Sequence, residues 1–399
     1  MGLRVSPELG QDCYDVGFFR MRWIAIPCLV LALAAQTRTP EGRVQSVHRG
    51  ALLIDTHNDL PWVTTKGAVE IRSRLTRGHT DIPRLREGGV GAVFFAAYVP
   101  AATVAKKEAA HVALERIDYI RHGLVGAYSD VFDLATSAGE ILAARKRGKI
   151  AALIGVEGGH AIEDSLGLLR AFYDLGVRYM TLAHTNHNGW ADSSGSAGSP
   201  NHGLSPFGRQ VVAEMNRLGM LVDISHVADK TFWDVMDTAK APPIASHSSC
   251  RAISKIPRNL SDDMIVALAR KGGTIQINFG CEFLSQTSAD TSSWSNPALK
   301  GKKKEGDMVR ATLADVVAQI DHAVHIAGED AVGIGTDFDG ISCAPAGLDD
   351  VSKFPALTQA LLDKGYTESR IHKIYGGNLL RVLRAAEQHA RSRAQASRP

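Results

Sequence analysis

The segment LLIDTHNDLPW, residues 52–62, places a histidine and an aspartate two positions apart at the end of an apolar run. On an extended strand, side chains two residues apart point to the same face of the sheet. His57 and Asp59 could therefore bind one metal ion together, while Asn58 would face away. Because an HxD pair is also typical of an ordinary polar strand end at the surface, its meaning depends on the rest of the chain.

Seven more short apolar runs follow, and most of them also end at a side chain that can do chemistry. They end at or near Tyr98, Glu157, His184, His226, His247, Asn278 and Asp337. A surface position would explain any one of these residues. Four histidines, two aspartates and a glutamate in equivalent places after successive runs predict a shared site instead.

Amphipathic segments with apolar residues at helical spacing separate most of the runs. They cover residues 105–121, 137–147, 166–175, 208–218, 260–271 and 311–326. Apolar strands that alternate with helices predict a parallel sheet covered on both faces, and eight such units predict a closed (β/α)8 TIM-type barrel. An open doubly wound sheet is the structural alternative, but it predicts no ring of polar residues. In barrel enzymes the chemistry lies at the C-terminal ends of the strands, where all these residues fall.

Composition and charge agree with a single-domain enzyme. The chain has 399 residues, of which 45% are hydrophobic and 22% charged, and its formal net charge of +3 is too small to indicate a nucleic-acid surface. We expect the barrel to span residues 45–390, followed by a polar tail at 391–399. A polar connection from Gly280 to Asp307 predicts either a lid over the strand ends or a disordered insertion, and its basic run at 300–306 is typical of a solvated loop.

Residues 1–36 read as an N-terminal extension with a signal peptide. Arg20 and Arg22 precede the apolar stretch WIAIPCLVLALAA, which is too short to span a bilayer and ends in small residues. Met21 is a possible true start. The pattern predicts export and a soluble mature chain, and the alternative is a membrane anchor formed by an uncleaved N-terminal segment.

Three cysteines follow the predicted signal peptide: Cys250, Cys281 and Cys343. Cys250 and Cys281 come after neighbouring predicted strands, so a disulfide between them is one expectation in an oxidising compartment. Free structural thiols are the other. No CxxC or zinc-finger spacing is present.

The residue types at the strand ends predict metal chemistry. Imidazoles and carboxylates without thiolates suit Zn²⁺, with Mn²⁺ and Co²⁺ as substitutes. One ion would account for three or four ligands, whereas two ions that share a carboxylate bridge suit a larger set. The five candidate ligands are His57, Asp59, Glu157, His226 and His247. Glu157 is the natural bridge, because glycines flank it.

Two ions about 3.5 to 4 Å apart can hold a bridging hydroxide and polarise a carbonyl, which predicts hydrolysis of an amide or ester. Asp337 would then carry the proton to the leaving amine. His184 could stabilise the oxyanion, although it could also be an ordinary histidine of the HTNHN cluster. Arg258 offers a planar fork that suits a substrate carboxylate, and we expect Asp339 to have a supporting role.

Taken in order, the motifs resemble those of the membrane (renal) dipeptidase family, within the amidohydrolase-like metal barrels. The similarity runs from about Arg49 to Leu383 through DTHNDLPW, GVEGGH, TLAHTN, DISHVAD, ASHSSCRAI, RNLSDD and GTDFDG. It implies the same five metal ligands, His184 and Arg258 at the substrate, and Asp337 as acid/base. The HxD pair and the Glu bridge separate this chain from amidohydrolases with HxH and a carbamylated lysine.

The resemblance implies a binuclear zinc enzyme that cleaves dipeptides, accepts a D-residue at the C-terminal end and in some members opens β-lactams. It also implies a possible homodimer, but no lipid anchor, because the C-terminal signal of the animal members is absent. Two other classes stay open: a metal-dependent amidohydrolase that acts on N-acyl amino acids or lactams, and a non-catalytic binding protein on the same scaffold.

Overall fold

The computed structural model describes residues 39–65, 69–299 and 308–396. The predicted signal peptide and the basic run at 300–306 lie outside these residues. The described residues form nine strands in one parallel sheet. They are β1 Leu53–Asn58, β2 Val90–Tyr98, β3 Phe132–Leu134, β4 Ile150–Glu157, β5 Val177–Thr181, β6 Leu221–Asp223, β7 Ile244–Ser248, β8 Thr274–Ile277 and β9 Val332–Ile334.

Eight of the strands close into a barrel. Around the ring, β1 pairs with β2 and β9, the strands β9 to β4 follow in descending order, and β2 pairs with β4 to complete the circle. These eight strands are the eight predicted apolar runs, and the (β/α)8 barrel is confirmed. The sequence reading missed β3, a three-residue strand that pairs only with the first residues of β4, Ile150–Ala152.

Helices connect most of the strands. They are α1 Pro40–Gly50, α2 Leu60–Thr64, α3 Ile82–Glu87, α4 Thr103–Lys106, α5 Ala109–Asp118, α6 Ala138–Lys146, α7 Leu166–Asp174, α8 Pro206–Leu218, α9 Asp229–Thr238, α10 Asp262–Arg270, α11 Cys281–Leu284, α12 Gln286–Thr291, α13 Leu313–Ala327, α14 Phe354–Asp363, α15 Glu368–His372 and α16 Asn378–Ala396. A π-helical turn, Tyr119–Gly126, continues α5. Among the described residues no helix is both long and apolar enough to cross a bilayer.

Local sequence explains where these elements begin and why the strands are apolar. Serine side chains accept a hydrogen bond from the first turn of α6, α7, α8 and α10, which satisfies a backbone N–H that lacks a helical partner. Every residue of β4, IAALIGVE, is buried, because helices cover the outside of the barrel and side chains fill the inside.

The last helix covers the N-terminal end of the barrel. The side chain of Arg381 in α16 donates hydrogen bonds to Gly272 O at 2.6 Å and to Asp330 O at 2.7 Å, both just ahead of a strand. Glu387 accepts from the backbone of Ala138 at 2.8 Å. The opposite, C-terminal end of the barrel therefore stays open for a site. The helix runs on to Ala396, so exposed residues 391–396 of the expected polar tail are helical.

The cysteine pairing differs from the expected one. Cys281 is bonded to Cys343, and Cys250 is a buried free thiol. The loops after β8 and β9 bring Cys281 and Cys343 together. Cys250 instead turns its sulfur toward α13, where it contacts Gln319 O at 3.6 Å. A Cys250–Cys281 disulfide was therefore the wrong expectation.

Candidate active site

Glu157 ends β4, and its carboxylate is the meeting point of residues from four other strand ends. Its Oε1 lies 3.1 Å from His226 Nε2 and 3.2 Å from His247 Nε2. The same oxygen is 3.6 Å from His57 Nε2 and 3.7 Å from His184 Nε2. The closed barrel thus brings one carboxylate into reach of four imidazoles from distant parts of the chain.

Two candidate groups of metal ligands share this carboxylate. One comprises His57, Asp59 and Glu157, and the other Glu157, His226 and His247; within each, the ligand atoms lie within 4.8 Å of one another. His57 Nε2 is buried, 3.3 Å from Asp59 Oδ2, and has no hydrogen-bond partner among the described residues. Imidazole nitrogens and carboxylate oxygens in this arrangement fit a divalent cation.

A third group of the same kind overlaps the first two. It consists of His57, His247 and Asp337. Asp337 Oδ1 lies 3.9 Å from His57 Nε2, and its Oδ2 accepts a hydrogen bond from Asn278 Nδ2 at 2.8 Å. The carboxylate is thus held beside the ligands with one oxygen directed toward them.

Hydrogen bonds behind the rings orient two of the histidines. Tyr179 OH lies 2.7 Å from His57 Nδ1, and Ser246 Oγ lies 2.7 Å from His247 Nδ1. Ser246 Oγ donates to the buried carboxylate of Asp223 at 2.6 Å, so it accepts from His247 Nδ1. With the proton on Nδ1, the Nε2 lone pair points into the cluster, which is the tautomer a metal needs.

Burial and mutual charge perturb the protonation of the cluster. Burial raises the pKa of Glu157 to about 8 and that of Asp337 to about 7. Burial also lowers the pKa of His226 and of His247 well below the ordinary value. Burial disfavours charge on His57 as well, but Glu157 and other nearby carboxylates outweigh it and raise its pKa to about 10. In the metal-free site, a proton on His57 thus balances part of the charge of these carboxylates, a role that a bound cation would take over.

The backbone turns sharply at two of these residues. His226 has a φ of +66° and Asp337 a φ of +61°, values that non-glycine residues rarely adopt. Contacts from other loops hold both turns: Asp337 N donates to His57 O at 3.0 Å, and Ser194 N donates to His226 O at 2.8 Å. Backbone strain of this kind clusters at functional sites.

His184 lies beside the cluster, three residues after β5. Its ring meets Tyr98 edge to face with centroids 4.9 Å apart, and burial lowers the pKa of His184 to about 3. Its Nδ1 is buried and has no hydrogen-bond partner among the described residues. A neutral imidazole at this position can donate one hydrogen bond to a substrate without adding charge.

Arg258 is a buried cation in the loop after β7. One guanidinium nitrogen donates to Ser248 Oγ and another to His247 O, both at 2.7 Å, while Nε is buried and has no hydrogen-bond partner in the described part of the chain. No ion pair joins it to a carboxylate of the described residues, and burial lowers its pKa to about 10. The ring of Phe283 lies 5.6 Å from its Cζ. A buried guanidinium in this state suits an incoming carboxylate.

The cluster opens into a cavity of about 590 Å³. Glu157, His184, His226 and Asp337 line its floor, but Arg258 itself does not line it. Two aromatic pairs form parts of its walls: Trp62 with Tyr98, and Phe283 with Trp294. The size suits a small peptide or a molecule of similar bulk.

Comparisons with known proteins agree with this geometry. A family model described as "Membrane dipeptidase (Peptidase family M19)" matches residues 41–397. The chain belongs to the membrane dipeptidase family. It is therefore a metallo-dipeptidase, a hydrolase that acts on peptide bonds, and the family implies a metal cofactor for which the ligand clusters around Glu157 are the candidates.

Individual relatives of this membrane dipeptidase cover most of its length. The "Dipeptidase verJ" of Clonostachys rogersoniana is 39% identical over 350 residues, 84% of either chain. A Rhodobacter sphaeroides metallopeptidase, solved with a phosphinate mimic of the dipeptide L-Ala-D-Ala, is 28% identical, covers 84% of this chain and 99% of its own, and has a TM-score of 0.72. The probable dipeptidase PvdM of Pseudomonas aeruginosa, 24% identical, covers 89% and 100% with a TM-score of 0.79 and shows the shared fold.

Sequence reasoning missed the residues that support the ligands. These residues are Tyr179, Asp223 and Ser246, which lie inside the barrel. In the sequence they cannot be told from ordinary strand residues. One signal was present: Gly155 pairs with Tyr179 across β4 and β5, and a Cβ on Gly155 would lie 2.0 Å from the Tyr179 ring. Gly155, two residues before Glu157, thus leaves space for the ring of Tyr179.

Proposed function

We propose that this membrane dipeptidase binds two zinc ions and hydrolyses dipeptides, including those with a C-terminal D-residue. The observation that carries the proposal is Glu157, whose carboxylate belongs to two candidate ligand groups at once. His57 and Asp59 would hold one ion, His226 and His247 the other, and Glu157 would bridge them. Mn²⁺ or Co²⁺ would be substitutes. Two such ions would supply a nucleophile at neutral pH and polarise the scissile carbonyl.

Asp337 is the proposed acid/base. One of its oxygens is held by Asn278, and the other lies beside the ligand cluster at the cavity floor. From there the carboxylate can accept a proton from the attacking water and deliver it to the leaving amine. In the metal-free site, burial raises the pKa of Asp337 to about 7, with the neighbouring Asp59 acting in the same direction.

His184 is the proposed oxyanion donor. Its Nε2 lies 3.7 Å from the bridging carboxylate and its ring lines the cavity. As the carbonyl oxygen gains negative charge, a hydrogen bond from this ring would stabilise the transition state more than the substrate.

Arg258 would bind the substrate's terminal carboxylate and thereby set its length. If Arg258 holds the terminal charge and the scissile carbonyl lies over Glu157, a single residue would separate the two points, as in a dipeptide. Both guanidinium nitrogens that donate to the protein keep further N–H groups for a ligand, and Nε has no partner among the residues that the structure describes. The acceptance of a D-residue at the C-terminal end is supported by the Rhodobacter sphaeroides relative, which is solved with a mimic of L-Ala-D-Ala.

The decisive assay compares substrates that differ only at the C-terminus. Zinc-loaded protein should cleave free L,L- and L,D-dipeptides and cleave their C-terminal amides at least tenfold more slowly, because a charge-assisted bidentate pair contributes about 1.5 to 3 kcal/mol. N-acyl amino acids test the amidohydrolase alternative. Equal cleavage of acids and amides would contradict the role of Arg258, and a preference for N-acyl amino acids would contradict the dipeptidase proposal.

We also propose that the mature chain is exported. Support comes from the Cys281–Cys343 disulfide, since such bonds persist in oxidising compartments. The signal-peptide pattern of the sequence points the same way. Fractionation of the native cells, with immunodetection and N-terminal sequencing of the mature protein, tests this: an intact N-terminus in the cytosolic fraction would contradict it.

A further inference from the structure

The segment after β8 builds one wall of the cavity. We call residues 281–294 the β8 wall. Its start is anchored to two other loops: Cys281 is bonded to Cys343 and its backbone N–H donates to Cys343 O at 3.0 Å, while Asn259 Nδ2 donates to Phe283 O at 2.9 Å. The wall is therefore fixed relative to the loop that carries Asp337. A side chain on it has a defined position over the site.

Two aromatic rings of the β8 wall face the cavity. Phe283 and Trp294 meet edge to face with centroids 5.3 Å apart. Phe283 is 6% exposed, whereas Trp294 is 50% exposed. An exposed tryptophan by itself needs no explanation. Here, however, both rings line the cavity, so the accessible apolar surface lies where substrate would bind.

The position of Arg258 tells which end of the substrate meets these rings. Its Cζ lies 5.6 Å from the centre of the Phe283 ring. A terminal carboxylate held by Arg258 brings the α-carbon of the C-terminal residue beside Phe283. We infer that the side chain on that carbon extends along the β8 wall toward Trp294, the ring next to Phe283.

The other aromatic pair belongs to the opposite end of the substrate. Trp62 lies in α2, just after β1, and Tyr98 ends β2; their ring centroids are 5.1 Å apart. Tyr98 in turn contacts His184, whose proposed partner is the scissile carbonyl. The N-terminal residue of a dipeptide lies on that side of the carbonyl. The two pairs therefore receive different side chains.

We propose that Phe283 and Trp294 form a subsite that selects an aromatic or large apolar side chain on the C-terminal residue of the dipeptide. This inference rests on the proposed function, because Arg258 must hold the terminal carboxylate. Trp294 is the specificity-determining residue, since it is the outer and more exposed ring. Contact between two aromatic rings contributes beyond the apolar area that it buries.

Paired substrates test the subsite. We expect wild type to prefer L-Ala-L-Phe over L-Ala-L-Ala in kcat/KM, and Trp294→Ala to lower that preference by about tenfold, the effect of losing a sizeable apolar contact. The readout is the ratio of the two kcat/KM values, so a change common to both substrates does not enter it. Trp294→Phe should retain most of the preference. L-Phe-L-Ala, which carries the ring at the other end, should be affected no more than L-Ala-L-Ala.

Trp233→Ala is the matched control. Trp233 is also a surface tryptophan, 39% exposed, but it lies on α9 and does not line the cavity. Its replacement should leave kcat/KM for both substrates, and the ratio of the two values, unchanged. Far-UV circular dichroism of both alanine variants establishes that each one is folded.

The outcomes separate this inference from the function beneath it. Absence of dipeptide cleavage by wild type would overturn both. Cleavage with the same substrate ratio in wild type and Trp294→Ala would overturn the subsite alone. A decrease of kcat/KM in Trp294→Ala that is confined to L-Phe-L-Ala would also overturn the subsite, and it would place Trp294 beside the N-terminal residue instead.

Discussion

Individual hydrogen bonds decide which atoms of the candidate active site face the metal and the substrate. Tyr179 and Ser246 bond the rear nitrogens of His57 and His247, and this leaves both Nε2 atoms directed at Glu157. Without these partners, each ring could flip or change tautomer. The chemistry of the site thus depends on residues that touch neither metal nor substrate.

We expect Asp337→Asn to keep its metal yet lose about 10² to 10⁴-fold in turnover, because an amide cannot shuttle a proton. Asn278 can still hydrogen-bond the new side chain, so the loop should keep its shape. Metal analysis and steady-state kinetics on the same preparation check this. Near wild-type turnover would assign the proton transfer to another group, and loss of metal would make Asp337 a ligand.

Tyr179→Phe should weaken metal binding by about 10- to 100-fold, the usual effect of removing an outer-shell partner of a ligand. Only the hydroxyl at 2.7 Å from His57 Nδ1 is removed. Competition with a chelator measures the affinity directly. Tyr366→Phe is the matched control, since its hydroxyl bonds Asp321 at the surface; equal affinity in the two variants would show that Tyr179 does not orient the ligand.

At the level of elements, short strands and glycines set the site's geometry. The two histidines that follow in chain order are placed differently: His226 comes three residues after the three-residue strand β6, whereas His247 lies within the five-residue strand β7. Gly155 in β4 leaves space for the Tyr179 ring, and a Cβ on Gly340 would lie 2.3 Å from Asp59 Oδ2. Elements and ligands are packed too closely for either to move alone.

Packing between α1 and α14 should make the protein less stable in mild acid. His48 of α1 is buried, with Nδ1 2.7 Å from Thr358 Oγ1 and Nε2 2.9 Å from Gly88 O, and burial lowers its pKa. Above the unfolded value of about 6.5 the ring is neutral in both states and contributes no pH dependence. As pH falls below that value, the unfolded chain binds the extra proton more readily, and the free energy of unfolding decreases.

Chemical denaturation at pH 7.5 and at pH 5.5 measures this effect. The decrease in unfolding free energy between the two should be smaller in His48→Gln than in wild type. His111→Gln, an exposed histidine of α5, is the control and should behave as wild type. An equal decrease in all three proteins would show that other groups account for the acid sensitivity.

At the scale of the whole molecule, a helix covers one end of the barrel and a disulfide links two loops at the other. Helix α16 covers the N-terminal end, while the Cys281–Cys343 disulfide joins the loops after β8 and β9 above the cavity. The bond closes a loop across a sequence separation of 62 residues. It therefore restrains both the unfolded chain and the wall that carries Phe283 and Trp294.

Reduction should lower the stability by about 2 to 4 kcal/mol, the typical contribution of a native disulfide. Thermal unfolding of wild type with reductant should then match that of a Cys281→Ala, Cys343→Ala double variant, which reductant should not affect. Cys250→Ala, which removes the buried free thiol, should keep the full response to reductant. A wild-type melting temperature insensitive to complete reduction would contradict a stabilising role for the bond.

The sequence by itself determined the barrel and the set of chemically active residues. Apolar periodicity is local, so eight runs and the helices between them can be recognised without knowing what they pack against. The rule that barrel chemistry lies at the C-terminal strand ends then selects His57, Glu157, Asp337 and the others. The closed barrel and the family are confirmed, whereas the roles of the single residues stay predictions.

Only the tertiary structure decided which distant side chains meet. His57 and Tyr179 are 122 residues apart, and nothing local in either segment indicates their hydrogen bond. The expected Cys250–Cys281 disulfide was wrong for the same reason. Neighbouring strands allow several pairings of cysteines, and the direction of each side chain selects one. Ring closure and side-chain direction are properties of the packed barrel, and they alone bring Phe283 and Trp294 together in one wall of the cavity, with Arg258 behind Phe283.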